Sequence, residues 1–225
     1  MKRRVFLKSS AAFLAFSGQL VTAQDVPDLS LLEVARVLRD QPYAANTTPL
    51  SAPFADLDYD AFRGIRPIDG VTANLPHGDR FAVDLLPPGL YFPDPVKIDR
   101  MTQGGLQEIA FSPKAFTYEP RYFDDIPETS PGAGFTGMRL RYPLNKADHM
   151  DEVLVMQGAS YFRAIGQAMA YGLSARTVAV GTGGPTPEEF PRFVHLRLHP
   201  ADGDAVRLEG VIDSPSLTGH LDLPL

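Results

Sequence analysis

The sequence contains no cysteine. That excludes a disulfide framework and any thiolate chemistry. Nor does it contain an apolar run near the ~18 residues that a bilayer crossing requires, so a transmembrane helix and stable membrane insertion are excluded. Positive charge is in deficit, with 21 Lys and Arg against 27 Asp and Glu and a formal net charge of −6. Such a chain repels phosphate backbones and anionic headgroups, and no basic stripe offsets the deficit. Nucleic acid and acidic membranes are therefore excluded as partners. Repeats of fixed period and low-complexity linkers are absent as well.

What is present points to a folded domain rich in short strands. The 225 residues are 44% hydrophobic, enough to bury one core. Proline (21) is about twice its ~5% norm, which suits strands joined by turns better than long helices. The first 23 residues form a separate unit with a targeting pattern. Lys2, Arg3, Arg4 and Lys8 make a basic head, Ala11 to Phe16 a short apolar run, and Val21-Thr22-Ala23 a cleavage-type end before Gln24. Arg3-Arg4 in this setting is a twin-arginine export pattern and implies the periplasm as destination. Removing residues 1–23 takes away four positive charges and no negative ones, leaving residues 24–225 at −10.

Within residues 24–225, Ser30-Leu31-Leu32-Glu33 is a capping box, with Leu31, Val34, Ala35 and Leu38 at helical spacing after it. Leu57 to Ile65 predicts a second short helix stopped by Gly64, with an Asp60–Arg63 surface pair. From Phe81 onward the period changes to two, in segments near 81–86, 96–101, 106–111, 138–142, 194–198 and 206–212. Gln103-Gly104-Gly105 predicts a hairpin, and Gly210 a bulge. The fold expected is all-β, an antiparallel β-sandwich with one or two short amino-terminal helices.

The densest chemistry lies in residues 158–191. Tyr161, Arg163, Tyr171 and Arg176 fall within sixteen residues, interleaved with Gly158, Gly166 and Gly172, on segments that read as strands. Aromatic faces stack on sugar rings and guanidinium forks present fixed donors to hydroxyls, so these four are the candidate substrate-binding residues. The plainer alternative puts Tyr161 and Phe162 in the core and the arginines in solvent. No other constellation carries chemistry. Ser160 lacks the closing glycine of a nucleophile elbow. Gly181 to Pro185 has neither phosphate-loop spacing nor a lysine. His195 and His199 lie ~13 Å apart along a strand and cannot share one ion. Adjacent carboxylates such as Asp151-Glu152 and Glu188-Glu189 point apart, and Asp213 reads as a turn former. No metal and no cofactor is implied.

GASYFRAIG, YGLSAR, EEFPRF and DSPSLTG occur here in the order found in the osmoregulated periplasmic glucan biosynthesis proteins G and D. The chain resembles that family from about Leu32 to Leu223. The resemblance implies a galactose-mutarotase-like sandwich, a β-1,2-linked glucan as ligand, and a membrane glucan synthase as a further partner. It also implies acidic catalytic residues downstream of DSPSLTG, as D-type members have endo-glucanase activity. Two departures stand out. Leu196-Arg197 replaces an aromatic pair, and the sequence reaches Leu225 where family members continue for at least as long again. Residues 24–225 are accordingly expected to be a partial sandwich, truncated relative to the family, with its last strand an uncovered, association-prone edge. Three functional alternatives stay open: a glucan-processing protein, a non-catalytic glucan-binding scaffold, and an inactive fragment.

Overall fold

The computed structural model describes residues 29–45, 49–68, 74–170 and 172–225. The export-type segment 1–23 and Tyr171 lie outside them. Among the described residues two short α-helices, α1 (Leu31–Arg39) and α2 (Tyr59–Arg63), precede and accompany thirteen strands. These are β1 (Ile65–Pro67), β2 (Asn74–His77), β3 (Phe81–Leu85), β4 (Lys97–Thr102), β5 (Gly105–Glu108), β6 (Phe116–Tyr118) and β7 (Gly137–Lys146). They continue with β8 (His149–Gln157), β9 (Tyr161–Ala164), β10 (Ala175–Arg176), β11 (Arg192–Leu198), β12 (Arg207–Ser214) and β13 (Leu217–Pro224).

Strand alternation builds two facing layers. The six-stranded sheet runs β10-β9-β8-β7-β3-β2 and the five-stranded sheet β13-β12-β11-β4-β5, with a small β1-β6 ribbon beside them. In the first sheet Val83 pairs with Leu140 and Leu85 with Met138, and Leu140 and Met138 then pair with Leu154 and Met156. The inward side chains therefore form continuous apolar rows. Ile98, Leu196, Leu198, Leu208 and Ile212 from the second sheet join them in one core. Phe54, Phe111, Phe116 and Phe135 add an aromatic cluster of edge-on and tilted pairs with centroids 5.1–6.5 Å apart. The result is an all-β sandwich.

Three details depart from the sequence-based expectation. β11 and β4 pair in parallel, so the second sheet is mixed; the intervening sequence makes a long crossover instead of a hairpin. Gly210 lies in regular register between Leu196 and Leu221, and the irregularity falls at Phe193/His195. Glycine fits there because a Cβ would come 3.2 Å from a Leu196 methyl. Asp60 and Arg63 do not form an ion pair among the described residues. The Arg63 guanidinium instead lies 5.6 Å from the Tyr59 ring centre.

The amino-terminal helix forms as its sequence dictates. The Glu33 carboxylate accepts from the Ser30 N–H at 3.1 Å, while the Ser30 hydroxyl accepts from the Glu33 N–H at 3.3 Å. Leu31, Val34, Ala35 and Leu38 are buried with Val211 against the outer face of the five-stranded sheet. Each leucine or valine so buried contributes roughly 1.5–3 kcal/mol. Among the described residues β13 pairs with β12 and stands at the end of its sheet. α1 contacts both strands, so one face of that end is covered. Among the described residues no helix is long and apolar enough to cross a membrane.

Candidate functional site

The outer face of the six-stranded sheet carries the polar half of the strand alternation. β3 contributes Asp84, β7 Arg139 and Arg141, β8 Val155 and Gln157, and β9 Tyr161 and Arg163. Glu152 reaches this face through a bulge. Leu140 pairs with Leu154 but Arg141 pairs with Glu152, so β8 holds one extra residue at Val153. Regular alternation would have sent Glu152 into the core; the bulge turns it outward, where it bonds to Arg163 and meets Arg139 at 3.4 Å. Asp84, almost wholly buried, accepts from Arg139 Nε at 2.7 Å and Arg141 Nη2 at 3.0 Å. These pairs hold the guanidinium planes in place before any ligand arrives.

Over the β8–β9 end of this face lies an open groove of about 620 Å³. Tyr161 and Arg163 line it, with Tyr161 39% exposed, so the reading that puts this tyrosine in the core fails. Arg176 sits across the β9–β10 ladder from Tyr161, its guanidinium 5.6 Å from the ring centre. Its hydrogen bond to Glu188 holds its pKa above the ordinary arginine value. Two of the four candidate residues, Tyr161 and Arg163, thus line the groove; Arg176 adjoins the Tyr161 ring without lining it, and Tyr171 lies outside the described residues. Sequence reasoning missed the groove's opposite wall, built by Tyr91, Phe92, Phe190 and Arg192. Tyr91 is 77% exposed and Phe190 47%. The signal was available for Phe190, at the centre of EEFPRF; for Tyr91 it was only an aromatic pair among prolines.

The four motifs that are separate in the sequence meet in space. Ser160 N–H donates to Pro191 O at 2.7 Å and Phe193 N–H to Gly158 O at 3.0 Å, tying GASYFRAIG to EEFPRF. Thr177 N–H donates to Ser160 O at 2.8 Å, fastening the segment after YGLSAR. Glu189 accepts from the Ser216 N–H and hydroxyl, both at 3.0 Å, joining EEFPRF to DSPSLTG. Hydrogen bonds from Ser214 and Ser216 hold the Glu189 carboxyl below its usual range. Asp213 serves the β12–β13 turn by accepting from the Thr218 hydroxyl at 2.7 Å, and burial pushes its pKa up. Neither Glu189 nor Asp213 lines the groove. Ser160 is buried with its hydroxyl on Val178 O, which removes it as a nucleophile.

Histidines of the second sheet are structural. His195 bonds to Asp99, whereas His199 and His220 both bond to Glu209, so His220 is not the isolated residue its sequence position suggests. Among the described residues no set of three His, Asp or Glu side chains is arranged to hold a metal ion.

Gly158 shapes the groove wall. Its φ is +68°, and a Cβ there would stand 2.8 Å from Phe92 Cδ1. Gly158→Ala is therefore expected to cost about 1–3 kcal/mol through backbone strain, before the Phe92 ring moves. Urea unfolding checks this; an unshifted midpoint at unchanged slope would show that the strain is absent.

The fold and groove define a class of protein: a β-sandwich that offers an open, ring-rimmed polar surface across the outer face of one sheet. The chain belongs to the family described as "Periplasmic glucan biosynthesis protein, MdoG", which matches residues 29–225. It is 34% identical to the glucans biosynthesis protein G of Pseudomonas putida (strain W619), over 99% of this chain and 38% of that protein. The corresponding protein of Pectobacterium atrosepticum is 35% identical over 94% of this chain and 40% of its own length. That of Vibrio cholerae El Tor Inaba is 33% identical over 84% and 35%. The chain thus spans less than half the length of these curated relatives. Its family is a periplasmic one, and the periplasm is the location of this protein.

Proposed function

We propose that this chain takes part in periplasmic glucan biosynthesis by binding a linear β-1,2-glucan along the groove of the six-stranded sheet. The observation that carries the reading is the convergence of exposed rings and anchored guanidiniums on one open surface. Tyr161 has Arg176 against its face, Tyr91 and Phe190 stand opposite, and Arg163 is held by Glu152. Exposed aromatic area of this kind is unfavourable in water and favourable under the apolar face of a sugar. An uncharged polymer is also indifferent to the chain's negative balance. The relatives' shared description as glucans biosynthesis proteins supports the same reading.

The groove reads as a binding surface. The carboxylates paired with its lining arginines, Glu152 with Arg163 and Asp94 with Arg192, are both engaged, as is Glu188 by the neighbouring Arg176. Glycoside cleavage needs instead a carboxyl pair across the scissile bond with one member kept protonated. Titration calorimetry with linear β-1,2-glucan tests the proposal. Arg163→Ala and Arg176→Ala should each weaken binding about three- to ten-fold, as expected for losing the net worth of about one hydrogen bond to a sugar hydroxyl. Unchanged affinity in both variants would remove the groove from consideration. Shorter glucans appearing on prolonged incubation would convert the reading from binding to processing. Binding of β-1,3- or β-1,4-glucan with equal strength would remove the linkage preference.

A further inference from the structure

The groove does not end at Gln157. That residue also lines a second depression of about 510 Å³ farther along the same sheet face, walled by α2, β1, β3 and β7. The chemistry changes there. Among the described residues, four guanidiniums, those of Arg63, Arg66, Arg139 and Arg141, line it against one carboxylate, that of Asp84. With Glu152 added, because Arg139 reaches it, the described lining carries four positive charges against two negative. The chain as a whole is at −6, so this is a local reversal of sign.

The four arginines divide by anchoring. Arg139 and Arg141 are fixed from below by the buried Asp84. Arg63 and Arg66 are exposed at the rim, and neither forms an ion pair among the described residues. On their far side stand Asp60, Glu119 and Arg121, and neither acid comes within ion-pair distance of Arg63 or Arg66. A neutral sugar has no need of four guanidiniums. Concentrated, partly pre-aligned cationic forks lining one concave surface are a usual means of holding phosphate or carboxylate oxygens.

We propose that this second lobe is an anion-binding subsite, taking a phosphate or carboxylate group carried on the ligand whose uncharged part lies over Tyr161. The proposal rests on the glucan reading for the identity of that ligand, but not for the chemistry of the lobe. The groove then accepts an anionically substituted sugar polymer, with its substituent lodged beyond Gln157.

Titrations at low salt with glucose 6-phosphate, glucuronate and glucose test it. Both anionic sugars should bind about ten-fold or more tighter than glucose, and the advantage should shrink as salt rises past about 0.15 M. Tighter binding of one over the other identifies the phosphate or the carboxylate as the preferred group. The Arg63→Ala/Arg66→Ala double variant should lose that advantage while keeping parental affinity for neutral β-1,2-glucan, which also reports an intact fold. Anionic sugars binding no tighter than glucose, or equally well to parent and double variant, would overturn the subsite. Failure of neutral glucan to bind while glucose 6-phosphate still does would instead sink the glucan reading and leave the lobe standing.

Discussion

Asp99→Ala is expected to lower the thermal midpoint of the protein by roughly 6–20 °C. The estimate combines about 3–5 kcal/mol for removing one partner of a buried ion pair with about 2–4 °C per kcal/mol for a domain of this size. Asp99 lies on the face of β4 that turns toward α1, with no measurable exposure. Its carboxylate accepts from His195 Nε2 at 2.6 Å and, bidentately, from Arg197 Nε at 2.7 Å and Nη2 at 3.1 Å. Arg197 also donates to Leu29 O at 3.0 Å, just ahead of α1. Deleting the carboxylate leaves a buried guanidinium and imidazole under the helix without their shared acceptor. The pH dependence has a definite sign. Burial alone would raise the Asp99 pKa, but the hydrogen bonds from His195 and Arg197 outweigh it, and the carboxyl ends below its ordinary value. A lowered folded-state pKa means that the contribution is complete above about pH 4 and is lost as pH falls through the folded value. The parent should therefore lose stability on acidification more steeply than the variant does. A variant midpoint within about 2 °C of the parent would show that the pair carries little.

That triad also explains the departure at Leu196-Arg197. In register, Leu196 faces the core opposite Ile98, and Arg197 faces α1 opposite Asp99. Where the resemblance leads one to expect an aromatic pair, this sequence has one core aliphatic and one buried cation with a matched carboxylate. The alternation of β11 was legible, as were the capping box of α1 and the hairpin of β4 and β5, because each is set by residues within a few positions of one another. Long-range pairing was not legible. The parallel partnership of β4 with β11 joins residues almost a hundred positions apart, and nothing local to either strand specifies it. β8 escaped notice although its Leu154 and Met156 alternate with Val153 and Val155, because apolar residues on both faces blur a period of two. The bulge that turns Glu152 outward is likewise a property of a strand pair and not of one strand.

The same limit governed the site. Tyr161, Arg163 and Arg176 could be chosen because they are close in sequence and share a ladder. Phe190 carried a signal inside EEFPRF but Tyr91 carried none of its own, and only folding brings their two loops to the same groove. That opposite wall bears on the second large effect. Tyr161→Ala is expected to weaken β-1,2-glucan binding about thirty-fold or more, the cost of roughly 2 kcal/mol typical of a central aromatic anchor. Two losses combine in that variant. The ring that supplies the stacking surface goes, and with it the support 5.6 Å from Arg176, leaving that guanidinium, among the described residues, to Glu188. Tyr161→Phe keeps both the surface and the support, so it should stay within about three-fold of the parent. Phe190→Ala, on the rim at 47% exposure, should fall between the two, since a half-solvated ring has less surface to lose. The ordering of the three variants carries the test. A thermal melt of each controls for folding, and if Tyr161→Ala binds within two-fold of the parent while melting normally, the polymer does not run over β9.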